Sequence, residues 1–284
     1  MNSVLSACAA LCLTVIPAKA VQAEISVPIV YLERATPSVS LNINGKEIDK
    51  IAIDTGASGA FYLPQSTFDS IFPAQNHPTE TKNSIDVFGV EKSTRVAKVA
   101  DITVNGKNLS DVDVEIFKPW GNGMLDDNGK LLINGVLGLG VAKNKTLIIN
   151  YASKRLTITD HLKALPDGYR WQSIPFTRTK SGIEISVSSG NEKINRMVID
   201  TGASHSVLFT RSEKKGCVNF SQSCPKQTIV TPDGVKLSAL VLQLSDDKID
   251  PAKRIDFDGL LGDDYLANRV LILSDDQLLM SLPK

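Results

Sequence analysis

The six residues Ile53-Asp54-Thr55-Gly56-Ala57-Ser58 recur without change as Ile199-Asp200-Thr201-Gly202-Ala203-Ser204. An identity of that length within one chain points to internal duplication, so the fold must be built from two similar halves. The surroundings repeat as well. Leu41 to Ile48 reads as strand, turn, strand, with Asn44-Gly45 at the turn. Ile183 to Ile194 has the same plan around Ser189-Gly190-Asn191. Downstream, Asn134-Gly-Val-Leu-Gly-Leu-Gly140 precedes the apolar run Thr146-Leu-Ile-Ile-Asn150. It is matched by Asp258-Gly-Leu-Leu-Gly-Asp-Asp264 ahead of Arg269-Val-Leu-Ile-Leu273.

Much of the remaining chain alternates apolar and polar residues, as at Ala100–Val104, Val112–Ile116 and Lys154–Ile158, with turn signals at Asn105-Gly106, Asp127-Asn-Gly129 and Asp233-Gly234. Helical periodicity is weak; Pro64–Phe72 and Tyr265–Asn268 read as short helices. Many short strands at close spacing predict an all-β fold of two related barrel-like lobes. The join is expected near Thr159–Trp171, where Pro166-Asp167-Gly168 makes a loop. This gives an N-terminal lobe over 24–160 and a C-terminal lobe over 161–284.

Residues 1–23 read as a signal peptide. The stretch from Val4 to Ile16 is apolar and uncharged, is too short to span a bilayer comfortably, and ends at Pro17. Cleavage fits after Ala20 or Ala23, the latter preferred. Leu5-Ser6-Ala7-Cys8 also has the look of a lipoprotein signal, although the apolar run continues past Cys8. Export to a periplasm or the exterior follows, and no later segment is expected to span a membrane. The cysteines left after cleavage, Cys217 and Cys224, then read as a local disulfide. The three histidines, His77, His161 and His205, have no metal-ligand spacing, so neither a metal nor another cofactor is expected. Formal net charge is zero. That gives no basic field for nucleic acid and leaves peptides among the plausible partners.

Asp-Thr-Gly after an apolar strand has a definite chemistry. Ile51–Ile53 and Met197–Ile199 carry their strands into the core, and the aspartate stands where each strand ends. Gly56 and Gly202 permit a tight turn close to the carboxylate, whose orientation nearby N–H groups can hold. A buried hydroxyl on Thr55 or Thr201 needs a partner, and pseudo-twofold symmetry would put the opposite strand within its reach. Two carboxylates brought together share a proton and titrate as a unit; the aspartic-protease dyad is the standard example of that behaviour. A lone Asp-Thr-Gly is an ordinary strand-ending turn. Two copies with the same downstream partner make Asp54 and Asp200 candidate catalytic residues.

These motifs resemble those of the pepsin-like and retropepsin-like aspartic peptidases. The resemblance is specific at Asp54-Thr55-Gly56 and Asp200-Thr201-Gly202, and extends to Val136-Leu137-Gly138 and Leu260-Leu261-Gly262, which look like the family element that supports each catalytic loop. It implies a bilobal pepsin-like fold, an endopeptidase acting on peptide or protein substrates, and a single-chain monomer. It also implies a hairpin flap between Ser84 and Val96 with its tip near Phe88-Gly89-Val90, where Phe88 would either stand in for the pepsin tyrosine or pack as a core residue. Ala57 and Ala203 occupy positions where pepsins place Ser or Thr. Losing that hydrogen bond to the charged dyad implies an optimum less acidic than pepsin's. Trp120-Gly-Asn-Gly123 reads as an ordinary surface loop in preference to a hinge or a part of the cleft. The competing readings are a catalytically silent peptide- or protein-binding module, disfavoured because both aspartates are kept, and a two-carboxylate glycosidase. The latter is disfavoured by the Asp-Thr-Gly context and an aromatic content of 6%.

Overall fold

The computed structural model describes residues 24–282, apart from 33–35, 74–78, 86–90, 121–123, 127, 191–192, 212–214, 219–220, 222 and 245–253; for residues 84 and 85 it describes the backbone alone. The expected leader over 1–23 lies outside the described residues.

The first half contains β1 (Glu24–Pro28), β2 (Val30–Tyr31), β3 (Pro37–Ile43), β4 (Lys46–Asp54), β5 (Phe61–Leu63), helix α1 (Gln65–Ile71), β6 (Thr79–Ile85), β7 (Glu91–Val104), β8 (Lys107–Ile116) and β9 (Gly135–Gly138). A 3-10 turn (Leu139–Ala142), β10 (Thr146–Asn150) and β11 (Arg155–Thr159) follow. The second half contains β12 (Trp171–Ser173), β13 (Thr177–Thr179), β14 (Gly182–Ser189), β15 (Lys193–Ile199), β16 (Val207–Thr210), β17 (Lys226–Val230), β18 (Lys236–Gln243), β19 (Gly259–Leu261), helix α2 (Asp263–Leu266), β20 (Val270–Leu273) and β21 (Leu278–Ser281).

The all-β expectation holds, and so does the duplication. In the first half the strands run β3-β4-β9-β5-β8-β7, and a β3–β7 pairing closes the sheet on itself. The second half repeats this order as β14-β15-β19-β16-β18-β17, closed by β14–β17. Corresponding pairs agree in sense: β4–β9 and β15–β19 are parallel, as are β5–β8 and β16–β18. Closure leaves strands covered on both faces, which explains unbroken apolar runs such as Ile51-Ala52-Ile53, all at most 3% exposed. Asn44 and Gly45 both have positive φ, as do Asn105 and Gly106, the geometry that two-residue hairpin turns demand.

A third sheet joins the halves, in the order β1-β11-β10-β20-β21-β12. It reads the same from either edge, and its centre is the antiparallel β10–β20 pair, with Ile148 opposite Ile272. Strands from 24–160 and from 161–284 are therefore hydrogen-bonded within one sheet. One apolar core cluster, with members such as Ile53, Leu147, Ile199 and Leu271, runs through the halves and this sheet. Helix α2 lies two residues earlier than the sequence suggested, because Asn268 takes φ 63°, in the left-handed region, and a helix cannot pass through it.

The second lobe carries a buried ion pair. Arg269 Nη1 bonds Asp233 Oδ2, and the Tyr265 and Thr231 hydroxyls both donate to Asp233 Oδ1. The Arg269 guanidinium also lies over the Tyr265 ring, 4.5 Å from its centroid. Burial alone would raise the Asp233 pKa; hydrogen bonds from Thr231 and Arg269 outweigh it and hold the group below the ordinary range. Arg269→Met leaves a buried carboxylate without its cation. The expected loss is about 3 kcal/mol of stability, read from the urea midpoint.

Candidate active site

Strands β4 and β15 deliver Asp54 and Asp200 to the same point between the lobes. Asp54 lies opposite Gly138 in the parallel β4–β9 register, and the Asp200 N–H donates to the Leu261 carbonyl at the end of β19. Each following turn then folds back over the glycine of its neighbour. A Cβ on Gly138 would stand 2.3 Å from the Gly59 carbonyl oxygen, and one on Gly262 would stand 2.5 Å from that of Ala203. No side chain fits at either place, which is the physical content of the apolar-apolar-glycine element. The Leu139 N–H to Ala57 carbonyl bond, 2.7 Å, and the Asp263 N–H to Ala203 carbonyl bond, 2.8 Å, tie these turns down in the same way in both halves.

The two threonines cross between the lobes. The Thr55 hydroxyl donates to the Ile199 carbonyl at 2.7 Å and accepts the Thr201 N–H at 3.1 Å. Reciprocally, the Thr201 hydroxyl donates to the Ile53 carbonyl at 2.9 Å and accepts the Thr55 N–H at 3.0 Å. Both residues are at most 1% exposed. The four bonds satisfy every polar atom of the two hydroxyls and hold the turns face to face.

The aspartates meet above this lock and share a hydrogen bond. The Gly56 N–H holds Asp54 Oδ1 at 2.9 Å, and the Gly202 N–H holds Asp200 Oδ1 at 2.8 Å. Each glycine also faces the opposite carboxylate: a Cβ on Gly56 would lie 3.0 Å from Asp200 Cγ, and one on Gly202 would lie 2.9 Å from Asp54 Cγ.

The pair is electrostatically unequal. Burial raises the pKa of Asp54, opposed by hydrogen bonds from Asp200, the Gly56 N–H, the Trp120 side chain and the Ala57 N–H. Asp200 is pushed up further, first by burial and then by the Asp54 charge, and the hydrogen bond it gives to Asp54 adds to the rise. Both pKa values are therefore raised, and the two carboxyls titrate together as one pair.

The sequence reading ranks one feature of this site too low and misses another. Trp120 is not on an ordinary surface loop. It packs edge-on against Tyr62 and Phe117, with ring centroids 5.2 and 5.3 Å away, and its indole reaches Asp54. Nothing in the local sequence marks it, because the contact depends on where the chain after β8 returns. The second feature is a further carboxyl at the start of α2, on the residue whose N–H holds the Ala203 turn. Asp263 takes the place that buried Leu139 holds in the first lobe. It is pushed up to about 7, chiefly by burial and then by Asp264, with Tyr151 opposing. Tyr151 is itself raised by burial and by the charges of Asp263, Tyr31 and Asp200. Setting Gly138-Leu139 against Gly262-Asp263 in the two repeats would have exposed this substitution.

The arms of the expected flap are present as the antiparallel β6–β7 hairpin, with Ile85 opposite Glu91. Phe88 and Gly89 lie outside the described residues. Cys217 and Cys224 form a disulfide, with Cα atoms 5.5 Å apart. Among the described residues, no cluster of three or more His, Cys, Asp or Glu is arranged to hold a metal, and no helix is long and apolar enough to cross a membrane.

Residues 39–141, from β3 through most of the 3-10 turn after β9, match a protein-family model described as aspartyl protease. No curated protein matches the chain. The family match covers the first repeat, with Asp54 inside it; at family level it supports an aspartic-protease-like hydrolase with the all-β, bilobal aspartic protease fold.

Proposed function

We infer that the chain is an aspartic endopeptidase in which Asp54 and Asp200 activate one water against a peptide bond. The observation that carries this reading is the close approach of the two buried carboxyls at the junction of the repeats, locked by Thr55 and Thr201. The Asp54 carboxylate takes a proton from the water as its oxygen attacks the carbonyl carbon. Asp200 gives its proton to the carbonyl oxygen, and a gem-diol forms. Asp54 then passes its proton to the departing nitrogen, Asp200 recovers one from the diol, and the C–N bond breaks. Each repeat supplies one carboxyl, so a monomer completes the pair. An extended peptide is the substrate class, bound along the cleft by strand-like backbone pairing.

We also assign the chain to an exported compartment, periplasmic or extracellular, with residues 1–23 as its leader. The Cys217–Cys224 bridge suits an oxidising environment. The lobes are assigned to 24–160 and 161–284, with β10 and β20 as their common seam.

The direct experiment supplies a mixed peptide library between about pH 3 and 7 to the wild type, Asp54→Ala and Asp200→Asn. Cleavage by the wild type alone, blocked by a statine-type transition-state mimic, supports the peptidase. Intact peptides at every pH, with binding retained, favour the silent binding module. Because burial raises both carboxyls and neither has a hydroxyl from residue 57 or 203, the optimum lies above that of pepsin; a maximum at about pH 2 would contradict this. Gly56→Ala forces a methyl against Asp200 and spreads the pair. Peptide kcat is expected to fall about 10²-fold, measured in steady state at matched pH.

A further inference from the structure

Glu115 is a carboxylate for which the second lobe has no equivalent. It lies on β8, 3% exposed, opposite Tyr62 in the β5–β8 register. The corresponding pair in the other lobe is Leu208 opposite Val241, both buried and apolar. A buried charge where an aliphatic residue would fit costs several kcal/mol unless it is paired, so packing alone does not account for Glu115.

Its partner comes from the hairpin. The Lys82 ammonium on β6 donates to Glu115 Oε1. Strand β6 is itself an addition: it pairs at the outer edge of β7, and among the described residues the second barrel has no matching strand beside β17. On its inner side the same glutamate oxygen abuts the turn that follows Asp54. A Cβ on Gly59 would lie 2.8 Å from Glu115 Oε1 and 2.9 Å from the Tyr62 hydroxyl. The Gly59 N–H donates to that hydroxyl at 2.7 Å. Tyr62 in turn packs against Trp120, whose indole reaches Asp54. A second tie runs in parallel, outside the core. Lys92 on β7 donates to the Pro119 carbonyl at 2.7 Å, and Lys118 donates to that of Ser93, so the other hairpin arm grips the segment leading into Trp120.

We propose that Lys82 and Glu115 are positioning residues that make the arms of the β6–β7 hairpin and the Asp54 turn one mechanical unit. The charge occurs only in the lobe where an added strand brings a cation to it, and it lies between that strand and the turn. The functional half of the proposal rests on Asp54 acting in peptide hydrolysis; the mechanical half does not.

Amide hydrogen exchange and peptide kinetics on the full chain separate the two. Alongside Glu115→Gln, which strands no charge, Lys82→Met removes the cation from a partly exposed position and leaves the buried Glu115 carboxylate unpaired. It is expected to speed exchange of the Gly59 amide about tenfold, while the β14–β15 amides of the other lobe keep their wild-type rates. Lys82→Arg restores protection. Glu115→Gln behaves like Lys82→Met, and the double variant is no worse than either single one, as expected of two residues acting through one contact. Peptide kcat/KM falls about tenfold in Lys82→Met and recovers in Lys82→Arg. Unchanged Gly59 protection in Lys82→Met overturns the proposal. Uniform acceleration across both lobes also overturns it, since that marks a merely stabilising ion pair. If the wild type cleaves no peptide, the hydrolytic reading falls by itself, and exchange at Gly59 still decides whether hairpin and turn are coupled.

Discussion

Asp200→Asn is expected to abolish peptide hydrolysis and, at neutral pH, to make the protein more stable than the wild type. The activity loss follows from the proton inventory: an amide cannot give up a proton and take it back within a turnover, so kcat falls by about 10³-fold or more. The stability gain follows from linkage. Burial and the Asp54 charge hold the folded pKa of Asp200 well above its unfolded value. The folded state therefore keeps a proton that the unfolded state releases. Stability falls as pH rises from the ordinary carboxylate range through the raised pKa, and that loss is absent below the unfolded pKa. Asparagine is neutral at every pH and can still accept from the Gly202 N–H, while its own amide supplies the donor that Asp54 uses. Urea unfolding at about pH 3 and about pH 8 tests this: the variant gains on the wild type only at the higher value. A variant less stable than the wild type at both would mean that the two carboxyls do not share a proton. Asp54→Asn loses activity equally, with a smaller gain, because the pKa of Asp54 is raised less far.

The double variant Thr55→Val, Thr201→Val is expected to lose both stability and hydrolysis, with the stability loss the larger surprise for so small a change in shape. Valine matches threonine in volume and removes all four cross-lobe bonds. The Ile53 and Ile199 carbonyls and the Thr55 and Thr201 N–H groups are then buried without partners. At about 1 kcal/mol or more for each stranded group, the expected loss is about 4 kcal/mol. Either single variant strands one carbonyl and one N–H, and so costs about half as much. Because the bonds interlock, the two single losses need not sum to the double one, and a thermodynamic cycle gives the coupling directly. Hydrolysis declines further than stability alone would require, since separated turns carry the carboxyls apart; activity measured well below the unfolding temperature isolates that part. A double variant that unfolds like the wild type would leave the threonines without a role in joining the lobes.

Much of the barrel was legible because closed sheets leave strong local marks. The Asn44-Gly45 and Asn105-Gly106 turns announce themselves through residues that tolerate positive φ. The ends of β4 and β15 are marked by apolar runs that stop at an aspartate. The seam between the lobes was not legible. Thr146–Asn150 and Val270–Leu273 read as two similar strands, and nothing in an alternating pattern says that a strand will pair with its own repeat across a pseudo-twofold axis. Glu115 and Lys82 were missed, and Trp120 was placed on a loop ahead of the cleft, for a related reason. Each lies in sequence that suits a surface strand or loop, and each gains its meaning from a partner far away in the chain.

The sequence by itself determined that there are two copies of one unit, that each ends a buried strand in a carboxylate, and that glycine follows wherever backbone must run against backbone. Those are consequences of covalent identity and local sterics, and they need no knowledge of the other half. The tertiary structure alone decided that the two carboxyls come together, that burial raises the pKa of both, and that the surroundings of Asp54 and Asp200 differ. A pKa depends on burial and on charges brought close in space, and only the packed arrangement of both lobes supplies those distances.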